Sequence, residues 1–200
     1  MLFSIGHSNH NIELSLSLLR LHGITAICDV RSSPYSRYAP QFSRREFEPI
    51  LIKAGVVYSF LGEEFGARSD DSGCYRDGKA QYELLAKQTK FSDGIRRVLR
   101  GMEKGFRMAF LCAEEDPIKC HRALLVSRAF FERGVPVSHI RADGNLESQE
   151  ELEKRLLALF KLRELNLFQT RAQVIADAYW RQGQRVAYRD ENICGEDLAV

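Results

Sequence analysis

The chain has 200 residues, 44% of them hydrophobic and 28% charged, with a formal net charge of +2. That is the size and balance of one ordinary globular domain, able to bury roughly 70% of its unfolded surface, and it excludes a disordered or low-complexity chain. A charge so near neutral gives no general argument for nucleic acid or a membrane surface.

The N-terminal "MLFSIGHSNH" has no basic stretch ahead of an apolar core, so no signal peptide is expected. No apolar run approaches the roughly 18 residues of a membrane span. The expected location is the cytoplasm, with no membrane partner. The five cysteines, Cys28, Cys74, Cys112, Cys120 and Cys194, are odd in number and irregular in spacing, which favours a reduced state.

In chain order, "LFSI" (2–5) reads as a first strand, ending in "GHSN", whose Ser or Asn suits a helix N-cap. Ile12, Leu16 and Leu19 then recur at helical spacing up to a terminating Gly23. A nearly all-apolar second strand follows at 24–30. Ser43 and Glu46 form a capping box for a helix over 43–55, which Pro49 is expected to shorten or bend. A third strand spans 56–61. The polar, glycine-containing 62–81 is long for a loop, and such loops are often functional. A helix or helix pair covers 82–104, a fourth strand 106–112, a helix 121–134 and a fifth strand 135–140. Ser148 and Glu151 open a helix over 148–165 with a second capping box.

Alternating strands and helices with all-apolar strands predict a single α/β domain over 1–165. Its sheet should be mostly parallel, five-stranded and covered by helices on both faces. The pattern does not fix the strand order. Residues 166–200 form a separate C-terminal extension, with a helix over 170–183 and a short strand over 184–190. It is expected to pack on the domain or to join a homodimer.

In an open parallel sheet, ligands bind beyond the carboxyl ends of the strands. Gly6, His7 and Ser8 follow the first strand, Asp29 and Arg31 end the second, and Gly62, Gly66 and Arg68 follow the third. Cys112, Glu114, Cys120, His121 and Arg122 follow the fourth, and His139 and Arg141 belong to the fifth. All should converge on one edge. Bland readings stand beside each: Asp29 and Arg31 share a strand face and can be a structural ion pair, and Cys112 can be an inert buried thiol.

Three chemistries compete for "LCAEEDPIKCHR" (111–122). A cysteine at a helix start beside cations favours thiolate, which suits a nucleophile or a redox pair. Arg31, Arg122, His7 and helix N-termini suit an anion. Cys112, Cys120, His121 and His7 have metal-ligand chemistry, but C-x7-C-H lacks the short knuckle of zinc sites, and no metal is assigned. The segment is not a C-x5-R phosphatase loop, because Ile118 stands six positions after Cys112.

"SIGHSNHNIE", "CDVRSSPYSRYAPQF", "LGEEFGAR" and "LCAEEDPIKCHRALL" together resemble the uncharacterised domain-of-unknown-function family numbered 488. The matching motifs are G-H-S, D-V-R-S-x-P, L-G-x-x-x-G-x-R and C-A-E-x-x-P-x-x-C-H-R, in order across most of 1–141. Ala67 departs from the third, where a second glycine is expected. The resemblance implies an α/β fold and motif residues that act as a set; it brings no reaction. The Asp-Val-Arg is also similar to a fragment of the rhodanese pattern, although the loop around Cys112 is not.

The leading expectation is an enzyme or ligand-binding domain for a small anionic ligand bearing phosphate, a nucleotide or a nucleic-acid end. Arg31 and Arg122 would clamp the anion, with Gly6, His7, Ser8 and Arg68 also binding. Asp29 or Glu114 would be the general acid or base, and His7 or His121 a second proton carrier. The alternatives are a thiol-based redox or sulfur-transfer protein using Cys112 and Cys120, and a non-catalytic nucleotide sensor or interaction module whose tail carries Tyr179 and Trp180. Catalysis, cofactor and substrate stay open.

Overall fold

The computed structural model describes residues 1–164 and 168–193; Cys194 lies outside them. The chain runs β1 (Leu2–Gly6), α1 (Ile12–Leu21), β2 (Ala26–Asp29), α2 (Arg44–Lys53), β3 (Val57–Phe60) and the single turn α3 (Gly62–Phe65). The small hairpin β4 (Tyr75–Arg76) and β5 (Lys79–Ala80), α4 (Tyr82–Leu85), α5 (Thr89–Glu103) and β6 (Met108–Cys112) follow. A π-helical segment, Arg122–Ser127, then leads into α6 (Arg128–Phe131), β7 (Val137–Ile140), β8 (Leu146–Ser148), α7 (Gln149–Leu159) and α8 (Arg171–Val186).

The main sheet is six-stranded in the order β3-β2-β6-β1-β7-β8. It is α/β and mostly parallel, as the all-apolar strands predict, because strands covered on both faces have no polar side to show. The sixth strand, β8, pairs antiparallel with β7 through Ser138–Ser148 and Ile140–Leu146. It escapes a periodicity reading because Leu146, Glu147 and Ser148 form a short, half-exposed edge.

Alternate strand residues feed two cores. Phe3, Ile5, Ile27, Ala109 and Leu111 meet Leu18 and Leu19 of α1 and Phe47 and Leu51 of α2 on one face. Leu2, Cys28, Phe110 and Cys112 meet Phe91, Ile95 and Val98 of α5, Phe130 of α6, Leu152 and Leu156 of α7, and Val174, Ala178 and Tyr179 of α8 on the other. The connections after β1 and β6, which are neighbours in the sheet, therefore leave toward opposite faces. The connection after β2, the other neighbour of β6, also leaves toward the face of α1 and α2, and α/β proteins hold ligands at such points of divergence.

Local details differ from the sequence expectations. The cap of α1 is Asn11, whose side chain accepts from Leu14 N at 2.7 Å, not the Ser or Asn of "GHSN". Ser43 precedes α2 without capping it; its hydroxyl accepts from Ser36 N at 3.1 Å and braces the preceding loop instead. Pro49 sits inside α2, which still runs ten residues. The box of Ser148 and Glu151 on α7 is formed, and Thr170 with Gln173 makes another on α8. The expected strand over 184–190 is absent: α8 continues to Val186, and an isolated bridge joins Lys79 to Arg189. Among the described residues no helix is long and apolar enough to cross a membrane.

Candidate functional site

Backbone at the carboxyl edge is locked together before any side chain acts. His7 N donates to Cys112 O at 2.9 Å and Ser8 N to Ala113 O at 2.8 Å, so the turns after β1 and β6 run side by side. Gly6 permits this approach: a Cβ there would lie 1.8 Å from Glu114 O. Gly62 and Gly66 do the same for the turn after β3, where added Cβ atoms would meet Arg31 O at 2.1 Å and Gly62 O at 2.3 Å. Ser32 Oγ accepts from Arg68 N at 3.0 Å, which ties the second and third motifs together.

Asp29 and Arg31 form a buried pair. Arg31 Nε donates to Asp29 Oδ1 at 2.9 Å and Nη2 to Oδ2 at 2.5 Å, while Tyr58 OH donates to Oδ2 at 2.7 Å. Arg31 Nη2 also donates to Phe42 O at 2.9 Å, and Nη1 to His7 Nε2 at 3.2 Å. His7 Nδ1 donates to Ser8 O at 2.8 Å, which leaves Nε2 as the acceptor, and its ring stacks on Phe42 at 4.5 Å. Burial holds the His7 pKa down to about 4, with the Arg31 charge adding to it against the Ser8 carbonyl. His7 is therefore a neutral link that orients Arg31.

Arg122 also points inward. It is 0% exposed. Its Nε donates to Ser4 Oγ at 3.2 Å, Nη2 to Glu115 O at 2.9 Å, and Nη1 to Glu114 O. The guanidinium staples the loop after β6. Beyond it a buried polar chain runs from Ser4 to His139 Nδ1 at 2.7 Å, from His139 Nε2 to Gln149 Oε1 at 2.9 Å, and from Gln149 Nε2 to Tyr179 OH at 2.6 Å. Burial, then the Arg122 charge, hold the His139 pKa down to about 3. Arg141 turns away to Asp116 and Glu147.

A cleft of about 600 Å³ opens at this edge, lined by Arg31, Arg37, Arg68, Lys119, Glu114, Cys112, Cys120, His121 and the tyrosines Tyr35, Tyr38, Tyr82 and Tyr188. Tyr188 and Val186 bring the C-terminal extension into its wall, where Arg68 lies 4.5 Å over the Tyr188 ring. Gln182 of α8 donates to Ile118 O at 2.8 Å and steadies the turn before Cys120. Among the described residues, Arg37, Arg68 and Lys119 make no ion pair. Another hollow, about 630 Å³, lies over Asp71, Cys74 and Gln88, but there Gln88 and Gly73 N both bond to Asp71.

Cys112, Cys120 and His121 meet at the floor of the cleft. Their ligand-capable atoms lie within 4.8 Å of one another, with Cys112 Sγ 3.7 Å from His121 Nδ1. His121 Nε2 donates to Val30 O at 2.9 Å. Neither cysteine is in a disulfide. Burial alone would raise the Cys120 thiol, but the bond from Cys112 and the charges of Arg122 and His121 bring it well below the ordinary value. Cys112, bonded to Cys120 and buried, is pushed well above it. Burial would lower the pKa of His121; the Cys120 sulfur and the Val30 carbonyl raise it. The Cys112 thiol and the His121 ring thus both favour negative charge on the Cys120 sulfur.

Of the residues expected at the edge, the structure brings Arg31, Arg68, Cys112, Glu114, Cys120 and His121 to the cleft. Asp29, His7, Gly6 and Arg122 lie behind it as support, and Ser8 contributes backbone only. Tyr35, Tyr38, Tyr82, Lys119 and Tyr188 are cleft residues that sequence reasoning missed; Tyr35, Tyr38 and Lys119 lie inside the motifs, and Tyr35 and Tyr38 are 69% and 89% exposed, which is unusual for their type. The model of the family described as "Domain of unknown function DUF488" matches residues 11–129. No curated protein and no solved structure matches the chain. With more than half of its length matched, the chain belongs to the DUF488 family.

Proposed function

We propose that the cleft at the carboxyl edge binds a small anionic ligand bearing phosphate, of nucleotide size. The observation that carries this reading is the trio of cations, Arg37, Arg68 and Lys119, facing one cleft without an ion-pair partner among the described residues. Forked guanidinium groups suit phosphate oxygens. A volume of about 600 Å³ falls in the ordinary range for small-molecule sites. Tyr35 and Tyr38, exposed beside Arg37, supply the flat aromatic surfaces on which bases stack. Arg31 and Arg122 act in this reading as supports of the cleft wall and not as clamps.

The test is calorimetric titration of the full chain with inorganic pyrophosphate and with a nucleoside diphosphate. A hydrogen bond to a charged group is worth about 1.5–3 kcal/mol, so Arg37→Ala and Arg68→Ala should each weaken binding by about tenfold or more. Affinities unchanged in both variants would contradict the reading.

A second reading is favoured by the closeness of Cys112, Cys120 and His121, whose donor atoms lie within 4.8 Å of one another: thiol chemistry with Cys120 as nucleophile and Cys112 as its partner. It predicts a thiol that alkylates fast at neutral pH in the metal-free protein.

A further inference from the structure

Two thiols and one imidazole converge at the floor of the cleft, with their ligand-capable atoms within 4.8 Å of one another. We propose that Cys112, Cys120 and His121 form a three-ligand site for a soft divalent cation of the zinc class, with its fourth position facing the cleft.

The geometry carries it. In a tetrahedral site with Zn–S about 2.3 Å and Zn–N about 2.05 Å, a sulfur and a nitrogen ligand stand about 3.6 Å apart and two sulfurs about 3.8 Å apart. Cys112 Sγ and His121 Nδ1 are 3.7 Å apart, and all three donor atoms lie within 4.8 Å of one another. His121 already has the orientation of a metal ligand: its Nε2 donates to the Val30 carbonyl at 2.9 Å, which leaves Nδ1 aimed at the sulfurs. Ligating histidines usually donate their other N–H in this way, to a carbonyl or a carboxylate.

The donors also sit on rigid supports. Cys112 ends the central strand β6. Cys120 caps the short turn Pro117–Lys119, which Gln182 of α8 holds from behind. His121 immediately precedes the π-helical segment Arg122–Ser127, and such segments occur frequently at functional sites. Thiolate and imidazole ligands select zinc over magnesium or calcium. Three protein ligands with an open position are the pattern of a reactive zinc site, and a closed structural site would need a fourth. All three ligands line the cleft, so the open position faces it. Water or a ligand oxygen would complete the coordination, and the cation would add to the attraction of Arg37, Arg68 and Lys119 for an anion.

The experiment uses untagged full-length protein, stripped with chelator and titrated with cobalt(II), a visible stand-in for zinc. One equivalent should give the thiolate-to-cobalt charge-transfer band and the intense ligand-field bands of tetrahedral cobalt. Zinc should displace it. Cys112→Ser and Cys120→Ser should each weaken cobalt binding by about 100-fold or more, and Cys74→Ser, outside the cluster, should leave it unchanged. Mass-spectrometric alkylation of the unmutated chain serves if a variant does not fold: zinc should protect Cys112 and Cys120 together and leave Cys74 unaffected. Octahedral or absent cobalt spectra, or zinc that protects neither cysteine, would overturn the site; fast alkylation of Cys120 with no effect of zinc would do so in favour of the thiol reading. Pyrophosphate binding that depends on Arg37 and Arg68 is read separately, so the two proposals can fail independently.

Discussion

His7 shows how one residue can matter without touching a ligand. Its ring is neutral, donating from Nδ1 to Ser8 O and accepting from Arg31 at Nε2. A histidine titrates near 6.5 when unfolded and at about 4 here. Between those values the unfolded chain takes up a proton that the folded chain refuses. Its contribution is therefore complete above pH 6.5 and is lost as pH falls toward 4, a change on the order of 3 kcal/mol at about 1.4 kcal/mol per unit. His139, held down to about 3, acts with the same sign. The urea midpoint should fall across this window, and His7→Asn, whose amide can keep the bond to Ser8 O, should flatten the fall. An unchanged slope in that variant would mean that His7 is charged in the fold. At the same scale, the directions of the arginines were only half legible in the sequence. Asp29 two positions from Arg31 already suggested a pair, but Arg122 is held by carbonyl oxygens of Glu114 and Glu115, and backbone acceptors leave no trace in side-chain identity.

Among the elements, the turns after β1 and β6 depend on each other. They share two backbone hydrogen bonds and an approach that only glycine allows at position 6. Gly6→Ala puts a methyl carbon into the Glu114 carbonyl, and backbone cannot rotate aside as a flexible side chain can. Overpacking of this kind costs typically 1–3 kcal/mol, and more is expected here because the same carbonyl is bonded to Arg122. Thermal unfolding should show the loss, together with faster alkylation of Cys112 and Cys120 as the loop shifts. A variant with the stability of the parent would mean that the loop after β6 is not pinned by β1. The five parallel strands were legible because their sequences are mostly apolar, with β1, β2 and β6 buried throughout, although the edge strand β3 leaves Val57 exposed. β8 was not, since its three residues lie at a sheet edge, and the π-helical segment was read simply as helix because its apolar spacing over six residues does not separate the two.

For the molecule as a whole, the cleft lies between the loops after β2 and β6, whose helices pack on opposite faces of the sheet. The convergence of motif residues on one edge could be read from strand ends alone. What could not be read was the layering behind it: Asp29, His7 and Arg122 build a buried polar support, Arg31 joins that support to the cleft wall, and Cys112, Cys120, His121, Arg37, Arg68 and Lys119 line the cleft. The C-terminal extension enters the same picture through Tyr188 in the cleft wall and Tyr179 at the end of the chain of bonds from Ser4. The most direct measurement of whether this cleft is the binding site is a backbone amide NMR titration of the full chain with pyrophosphate. Saturable shifts concentrated at Arg31–Tyr38, Ala67–Arg68 and Ala113–His121 are expected. No saturable shifts, or shifts centred on the hollow around Asp71, Cys74 and Gln88, would contradict it.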